Sequence, residues 1–243
     1  MMREGGGDHH EHEHEHGGLD GLHAELDTTP MFEAAREGRV DELMEILDAD
    51  AAQLHARDKY GLTPLHWACD RGQHHAAALL LSRGADVNAV EKRLFKRTPL
   101  LFAALSGNEG LVQLLVKQEQ VNVAATDYKG WSAVHCAAHV GSVGVLRMLV
   151  AAGASLSALT KRKESVLHLA ARAGREELIS QLVGMATVTG VENPENQQLR
   201  VENELVGARD EDGNVAADVA RANGYHGIAA TLSKAATAST AGN

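Results

Sequence analysis

The sequence predicts an all-α solenoid, a stack of helix-turn-helix units, and three observations predict it. The first is a recurring segment: Thr29-Pro30-Met31-Phe32, Thr63-Pro64-Leu65-His66, Thr98-Pro99-Leu100-Leu101, Ser132-Ala133-Val134-His135 and Ser165-Val166-Leu167-His168, at steps of 34, 35, 34 and 33 residues. Periods of this length mark repeat architectures. The second is the pattern downstream of each copy: a glycine (Gly38, Gly72, Gly107, Gly141, Gly174), then leucine-rich stretches such as Leu79-Leu80-Leu81, Leu114-Leu115, or Leu146 with Leu149. The third is composition. Of 243 residues 44% are hydrophobic but only 3% aromatic, so Ala, Leu and Val must do the burying, which favours helices over a sandwich of strands.

Each element arises in order from local chemistry. Thr or Ser caps the first helix of a unit, and Pro at its first turn has no helix-interior amide to lose. Ala68, Ala103-Ala104, Ala137-Ala138 and Ala170-Ala171 keep that helix slim enough for neighbouring units to stack. The glycine permits the positive φ of the turn, and the second helix packs its leucines behind the first. One unit cannot bury its own apolar face, so stability resides in the stack, where residues such as Leu65 and Leu167 carry it. The period breaks from Gly184 to Arg209, since Ser165 and Val215 lie 50 residues apart. A degenerate last unit comes after it, with Asp210, Gly213, Val215-Ala216-Ala217-Asp218, Gly224, Ile228 and Leu232.

The run Asp58-Lys59-Tyr60-Gly61-Leu62-Thr63-Pro64-Leu65-His66-Trp67-Ala68, continuing to Gly84-Ala85-Asp86-Val87-Asn88-Ala89, resembles the ankyrin-repeat family and its T-P-L-H-x-A pattern. The resemblance covers about residues 24–234 and implies stacked helix-turn-helix repeats joined by β-hairpin fingers. The units fall at about 24–57, 58–92, 93–126, 127–159, 160–209 (with an insertion at 184–206) and 210–234. An acidic His/Glu-rich tail at 1–23 and the Ser/Ala-rich C-terminus at 235–243 are expected to be disordered.

The formal charge of −10 is uneven: residues 1–28 hold eight acids against Arg3 alone, a net of −7. The rest of the chain is only mildly acidic, so no global excess of cations exists to displace counterions from nucleic acid. No apolar run reaches the roughly 18 residues of a membrane span, and two cysteines make no disulfide scaffold. Cys69 and Cys136, two units apart, are expected to be reduced core residues. A cytoplasmic setting is the expectation, with a nuclear one left open.

Few motifs suggest chemistry. His10-Glu11-His12-Glu13-His14 satisfies H-E-x-x-H, but a zinc-protease site needs a packed helix, and this stretch is a His/Glu alternation between glycines. A metal-handling role through His9, His10, His12, His14 and His16 is the alternative reading of that tail. His66, His135 and His168 fill one slot in three units that stack about 8–10 Å apart, too far to share an ion, and are read as hydrogen-bonding groups within and between units. No phosphate loop, dinucleotide fingerprint or nucleophile elbow occurs, so neither enzymatic activity nor a cofactor is expected.

In the ankyrin resemblance, partners bind along the fingers and the inner face of the first helices. Carried over, this implies Lys59, Tyr60, Leu62, Phe95, Arg97, Tyr128, Lys129, Trp131 and Arg162 on fingers, with Trp67, Arg71, His139 and Arg172 on first helices. Two biases support the finger face. The chain has three Phe, two Trp and three Tyr, and Tyr60, Phe95, Tyr128 and Trp131 fall on fingers, as at interface hot spots. Lys59, Lys92, Arg93, Lys96, Arg97, Lys129, Lys161, Arg162 and Lys163 gather there too, a basic stripe suited to an acidic peptide or protein surface. The bland alternative has these lysines as solvated loop residues and the aromatics packed on adjacent fingers. Nucleic-acid binding through the stripe is the less favoured functional alternative. Lys96 stands where the family prefers glycine, and the insertion could dock or fold back on the stripe through Glu192, Glu195, Glu202 and Glu204.

Overall fold

The computed structural model describes residues 29–184 and 203–240. Six helix pairs succeed one another there: α1 (Pro30–Glu37) with α2 (Val40–Ala49), α3 (Pro64–Asp70) with α4 (His74–Ser82), and α5 (Pro99–Leu105) with α6 (Glu109–Val116). They continue with α7 (Ala133–Val140) and α8 (Val143–Ala151), then α9 (Val166–Arg172) and α10 (Glu176–Leu182). After a short α11 (Asn203–Val206), α12 (Ala216–Ala222) pairs with α13 (His226–Thr240). A 3-10 turn at Ala51–His55 succeeds α2. The first helices α1, α3, α5, α7, α9 and α12 touch in sequence, as do α2, α4, α6 and α8. No described helix is long and apolar enough to cross a membrane.

Small residues let this stack close. Ala68, Ala103, Ala104, Ala137, Ala138, Ala170 and Ala171 are fully buried, and Leu80, Leu115, Leu146 and Leu182 of the second helices complete one continuous core. Both cysteines lie unbridged within it.

Three helix starts share one device. The backbone amides of Thr63, Ser132 and Ser165 donate to Nδ1 of His66, His135 and His168, at 3.0, 3.2 and 3.2 Å. Nε2 therefore carries the proton; it donates to the carbonyls of Arg97 and Asn214 in the next repeat for His66 and His168, and to that of Ala158, at the end of its own repeat, for His135. Each imidazole thus caps its own helix, and those of His66 and His168 also tie it to the next repeat. Burial pushes His66 and His135 down to about 4, keeping both neutral donors.

The fingers are closed loops, and among the described residues they carry one isolated antiparallel bridge, Thr126 to Ser132. One expectation is corrected. The C-terminal segment is not disordered from residue 235, since α13 runs on to Thr240 with Ala235 and Ala236 packed against the core. Alanine is the strongest helix former, which overrides the low-complexity look of that stretch. The His/Glu tail and most of the insertion, 185–202, lie outside the described residues, while Leu205 and Val206 at its end are buried and α11 packs on α13.

Candidate functional site: a row of basic fingers

Five finger loops share one closure. The amides of Asp58, Glu91, Asp127, Thr160 and Asp210 donate to the carbonyls of Leu62, Arg97, Trp131, Glu164 and Asn214, at 2.9–3.0 Å. An acidic side chain organises most of them from inside. Asp58 Oδ1 accepts from the amides of Tyr60 and Leu62, and Asp127 Oδ1 from those of Lys129 and Trp131. The finger of the third repeat, 91–97, is two residues longer, and there the longer Glu91 carboxylate reaches the amides of Arg93, Leu94, Phe95 and Arg97. Glu91 is completely buried.

The fingers are also bonded to each other. The amides of Arg93, Tyr128, Lys161 and Glu211 donate to the carbonyls of Tyr60, Phe95, Lys129 and Arg162 on the preceding finger, at 2.8–3.2 Å. This contact explains Gly61 and Gly130, which have positive φ and approach the next backbone so closely that an added Cβ would lie 2.9 Å from the Lys92 nitrogen or 2.7 Å from that of Lys161. The equivalent position in the fingers of the third and fifth repeats is a lysine: Lys96 at φ 59° and Lys163 at φ 58°. Lys96 therefore keeps the left-handed turn that glycine supplies elsewhere.

The residues expected to form the site separate into two groups. Lys59 and Arg162 are exposed, and Tyr60, Phe95, Tyr128, Lys129, Arg71, His139 and Arg172 are partly so. Leu62, Trp67, Arg97 and Trp131 are 0, 2, 1 and 2% exposed, which corrects their assignment as contact residues. Leu62 joins the core, and the Trp67 indole donates to Asp58 Oδ2 at 3.0 Å. The Trp131 ring lies 5.4 Å from that of His139. Arg97 is held over the rings of Phe95 and Phe102, with Nε 3.8 Å from Asp127 Oδ2.

Asp127 has no indole at the place of Trp67; Cys136 stands there. Burial raises the Asp127 carboxyl even though amides and Arg97 oppose it, and burial pushes the Cys136 thiol up to about 12. On the first-helix ends, Arg71 pairs with Asp70 and Arg172 with Glu164. His139 is shifted down by burial and by Arg175, Arg172 and Arg97.

At the finger tips, Lys59, Lys92, Arg93, Lys96, Lys161, Arg162 and Lys163 are exposed, with Lys129 partly so. Beneath them Phe95 stacks on Tyr128 at 6.1 Å, while Lys59 and Lys129 lie over Tyr60 and Tyr128 at 5.0 and 5.5 Å. The row ends at Glu211 and Asp212, which pair with Arg162 at 3.9 and 2.5 Å. Sequence reasoning misses the buried carboxylates and the left-handed Lys163; aligning the penultimate finger residues Gly61, Lys96, Gly130, Lys163 and Gly213 exposes the latter. Among the described residues no group of three or more His, Cys, Asp or Glu could hold a metal ion, and His9, His10, His12, His14 and His16 lie outside them.

Stacked helix pairs joined by bonded finger loops define a repeat solenoid built to present a surface. The family model for ankyrin repeats (three copies) matches residues 13–91 and 89–159, and the chain belongs to the ankyrin-repeat family. It is similar to an ankyrin repeat and KH domain-containing protein of Caenorhabditis briggsae, 35% identical over 158 residues, covering 65% of this chain and 6% of that one. It is also similar to the B-cell lymphoma 3 protein homolog of Mus musculus, 38% identical over 112 residues, covering 46% of this chain and 25% of that protein. A third relative is the transient receptor potential cation channel subfamily A member 1 of Homo sapiens, 30% identical over 179 residues, covering 73% and 15% respectively. The chain thus spans a quarter or less of the length of these relatives.

Proposed function

We propose that this chain is a non-enzymatic protein-interaction module or adaptor that takes an acidic segment of a protein partner along its finger row. The observation that carries the reading is the pair Lys96 and Lys163. Both adopt a left-handed backbone that disfavours any residue but glycine by about 1 kcal/mol, and both put an exposed cation on a finger tip. A lysine standing where glycine folds better puts its charge at the finger tip, and use of that charge accounts for it.

The mechanism is presentation by a rigid frame. Fingers bonded to each other lose little freedom when a ligand arrives, so binding energy is not consumed in ordering them. Their cations raise the encounter rate with a polyanionic segment, and the half-buried Tyr60, Phe95 and Tyr128 offer apolar contact beneath. Arg71, His139 and Arg172 extend the surface onto the first-helix ends.

The test is fluorescence anisotropy with a labelled ten-residue polyglutamate, using wild type and a Lys92→Glu, Lys96→Glu, Lys161→Glu variant of verified circular dichroism. The reading expects salt-sensitive binding that falls at least tenfold in the variant. Equal affinity of both proteins removes it, and tighter binding of a DNA duplex that the same variant abolishes moves the row to nucleic acid.

A further inference from the structure

We infer that the acidic N-terminal segment of the chain itself occupies the basic finger row and competes with the partner for it. The inference rests on the reading of that row as an acidic-ligand surface, and it names the row's resident occupant.

Placement comes first. Every finger runs directly into the N-terminus of a first helix: Leu62 into Thr63, Arg97 into Thr98, Trp131 into Ser132, Glu164 into Ser165. Thr29 is the same position of the first unit, preceding Pro30 of α1, and α1 packs on α3. Thr29, the described residue to which residues 1–28 are joined in sequence, therefore lies at the finger edge of the stack, one repeat before Lys59 and Tyr60.

Charge comes second. Residues 1–28 carry Glu4, Asp8, Glu11, Glu13, Glu15, Asp20, Glu25 and Asp27 against Arg3. The facing row exposes Lys59, Lys92, Arg93, Lys96, Lys161 and Lys163. The other segment outside the described residues, 185–202, holds Glu192, Glu195 and Glu202 against Arg200, a much weaker match.

Reach comes third. An extended chain spans about 3.3 Å per residue, so the 14 residues from Thr29 back to Glu15 cover about 45 Å. Repeats stacked about 10 Å apart put the finger of the fifth repeat, 160–164, about 30–40 Å from that attachment point. Glu11 and Glu13 thus reach Lys161 and Lys163 when extended, and the nearer Lys92 and Lys96 fall at the tether's relaxed length, where it holds the acids at about millimolar effective concentration. A weak intrinsic contact suffices to lower the partner's apparent affinity about three- to tenfold.

The experiment uses the full chain at low salt, compared with a variant of the same length carrying Asp8→Asn, Glu11→Gln, Glu13→Gln and Glu15→Gln. Zero-length carbodiimide cross-linking of the monomer, mapped by mass spectrometry, is expected to join Glu11, Glu13 or Glu15 to Lys92, Lys96, Lys161 or Lys163. The neutralised variant is expected to bind the labelled polyglutamate three- to tenfold more tightly than wild type. No tail-to-finger cross-link, or equal measurable affinities, overturns the inference. If polyglutamate binds neither protein, the acidic-ligand reading fails by itself, and the cross-link map still decides whether the tail lies on the row.

Discussion

Lys96 and Lys163, two repeats apart, share one left-handed backbone geometry, φ 59° and 58°, at the finger position filled by Gly61, Gly130 and Gly213 elsewhere. Replacing either by glycine removes the Cβ clash of the left-handed region, offset in part by a more flexible unfolded chain. Each substitution is expected to raise stability by about 0.5–1 kcal/mol in urea melts while weakening polyglutamate binding several-fold. Opposite signs of the two effects are the signature of a residue held for its charge, and a loss of stability on Lys96→Gly removes that account.

Glu91 is expected to tolerate no shortening. Its carboxylate accepts four finger amides only because its chain is one methylene longer than the Asp58 and Asp127 carboxylates of the five-residue fingers. Glu91→Asp withdraws the acceptor from part of that set and is expected to destabilise by about 2–3 kcal/mol, the scale for buried groups left unpaired. The same exchange in reverse, Asp127→Glu, overfills a shorter loop. Chemical denaturation of both variants checks the pair.

The features legible in the sequence are local ones. The capping of α3, α7 and α9 by Thr63, Ser132 and Ser165 with a histidine three residues on needs only one helical turn, and the repeat displays it. Burial of Leu62, Trp67, Arg97 and Trp131 is not legible in that way, because it is decided between elements. Arg97 is covered by Phe95 and Phe102 around it and by Asp127 of the next finger, 30 residues away. Sequence position puts such a residue on a finger and so at the surface, when only the finger tip is exposed. The basic tips are legible because charge at a loop apex has nowhere to be buried, whereas the left-handed turn at Lys163 requires the five fingers to be laid in register.

Acid is expected to loosen the stack through His66 and His135. Their folded pKa of about 4 lies below the ordinary 6.5, so between those values the unfolded chain binds more protons than the folded one. Their stabilisation is complete above about pH 6.5 and is lost as pH falls toward 4, on the order of several kcal/mol for the pair. Urea melts at pH 7, 5.5 and 4.5 measure this. A His66→Gln, His135→Gln variant is expected to start less stable at pH 7 and to show a shallower decline, and a decline as steep as that of wild type assigns the acid sensitivity elsewhere.

Arg97 and Asp127 are expected to be coupled, and the coupling separates a structural arginine from a contact arginine. Arg97→Ala takes away the stacking on Phe95 and Phe102 and the cation 3.8 Å from a carboxylate whose side chain is 1% exposed. A buried charge stripped of its partner is more harmful than the pair is helpful, so the single change is expected to destabilise by about 3–5 kcal/mol. Asp127→Asn keeps an acceptor oxygen for the amides of Lys129 and Trp131 while removing the charge, and alone it is expected to be milder. The double variant is then more stable than Arg97→Ala alone, with an interaction energy of about 1–3 kcal/mol in a double-mutant cycle. Polyglutamate affinity of the folded Arg97→Ala fraction stays within about twofold of wild type, because a side chain 1% exposed offers a ligand no surface. A tenfold loss of affinity with little loss of stability would instead return Arg97 to the contact row.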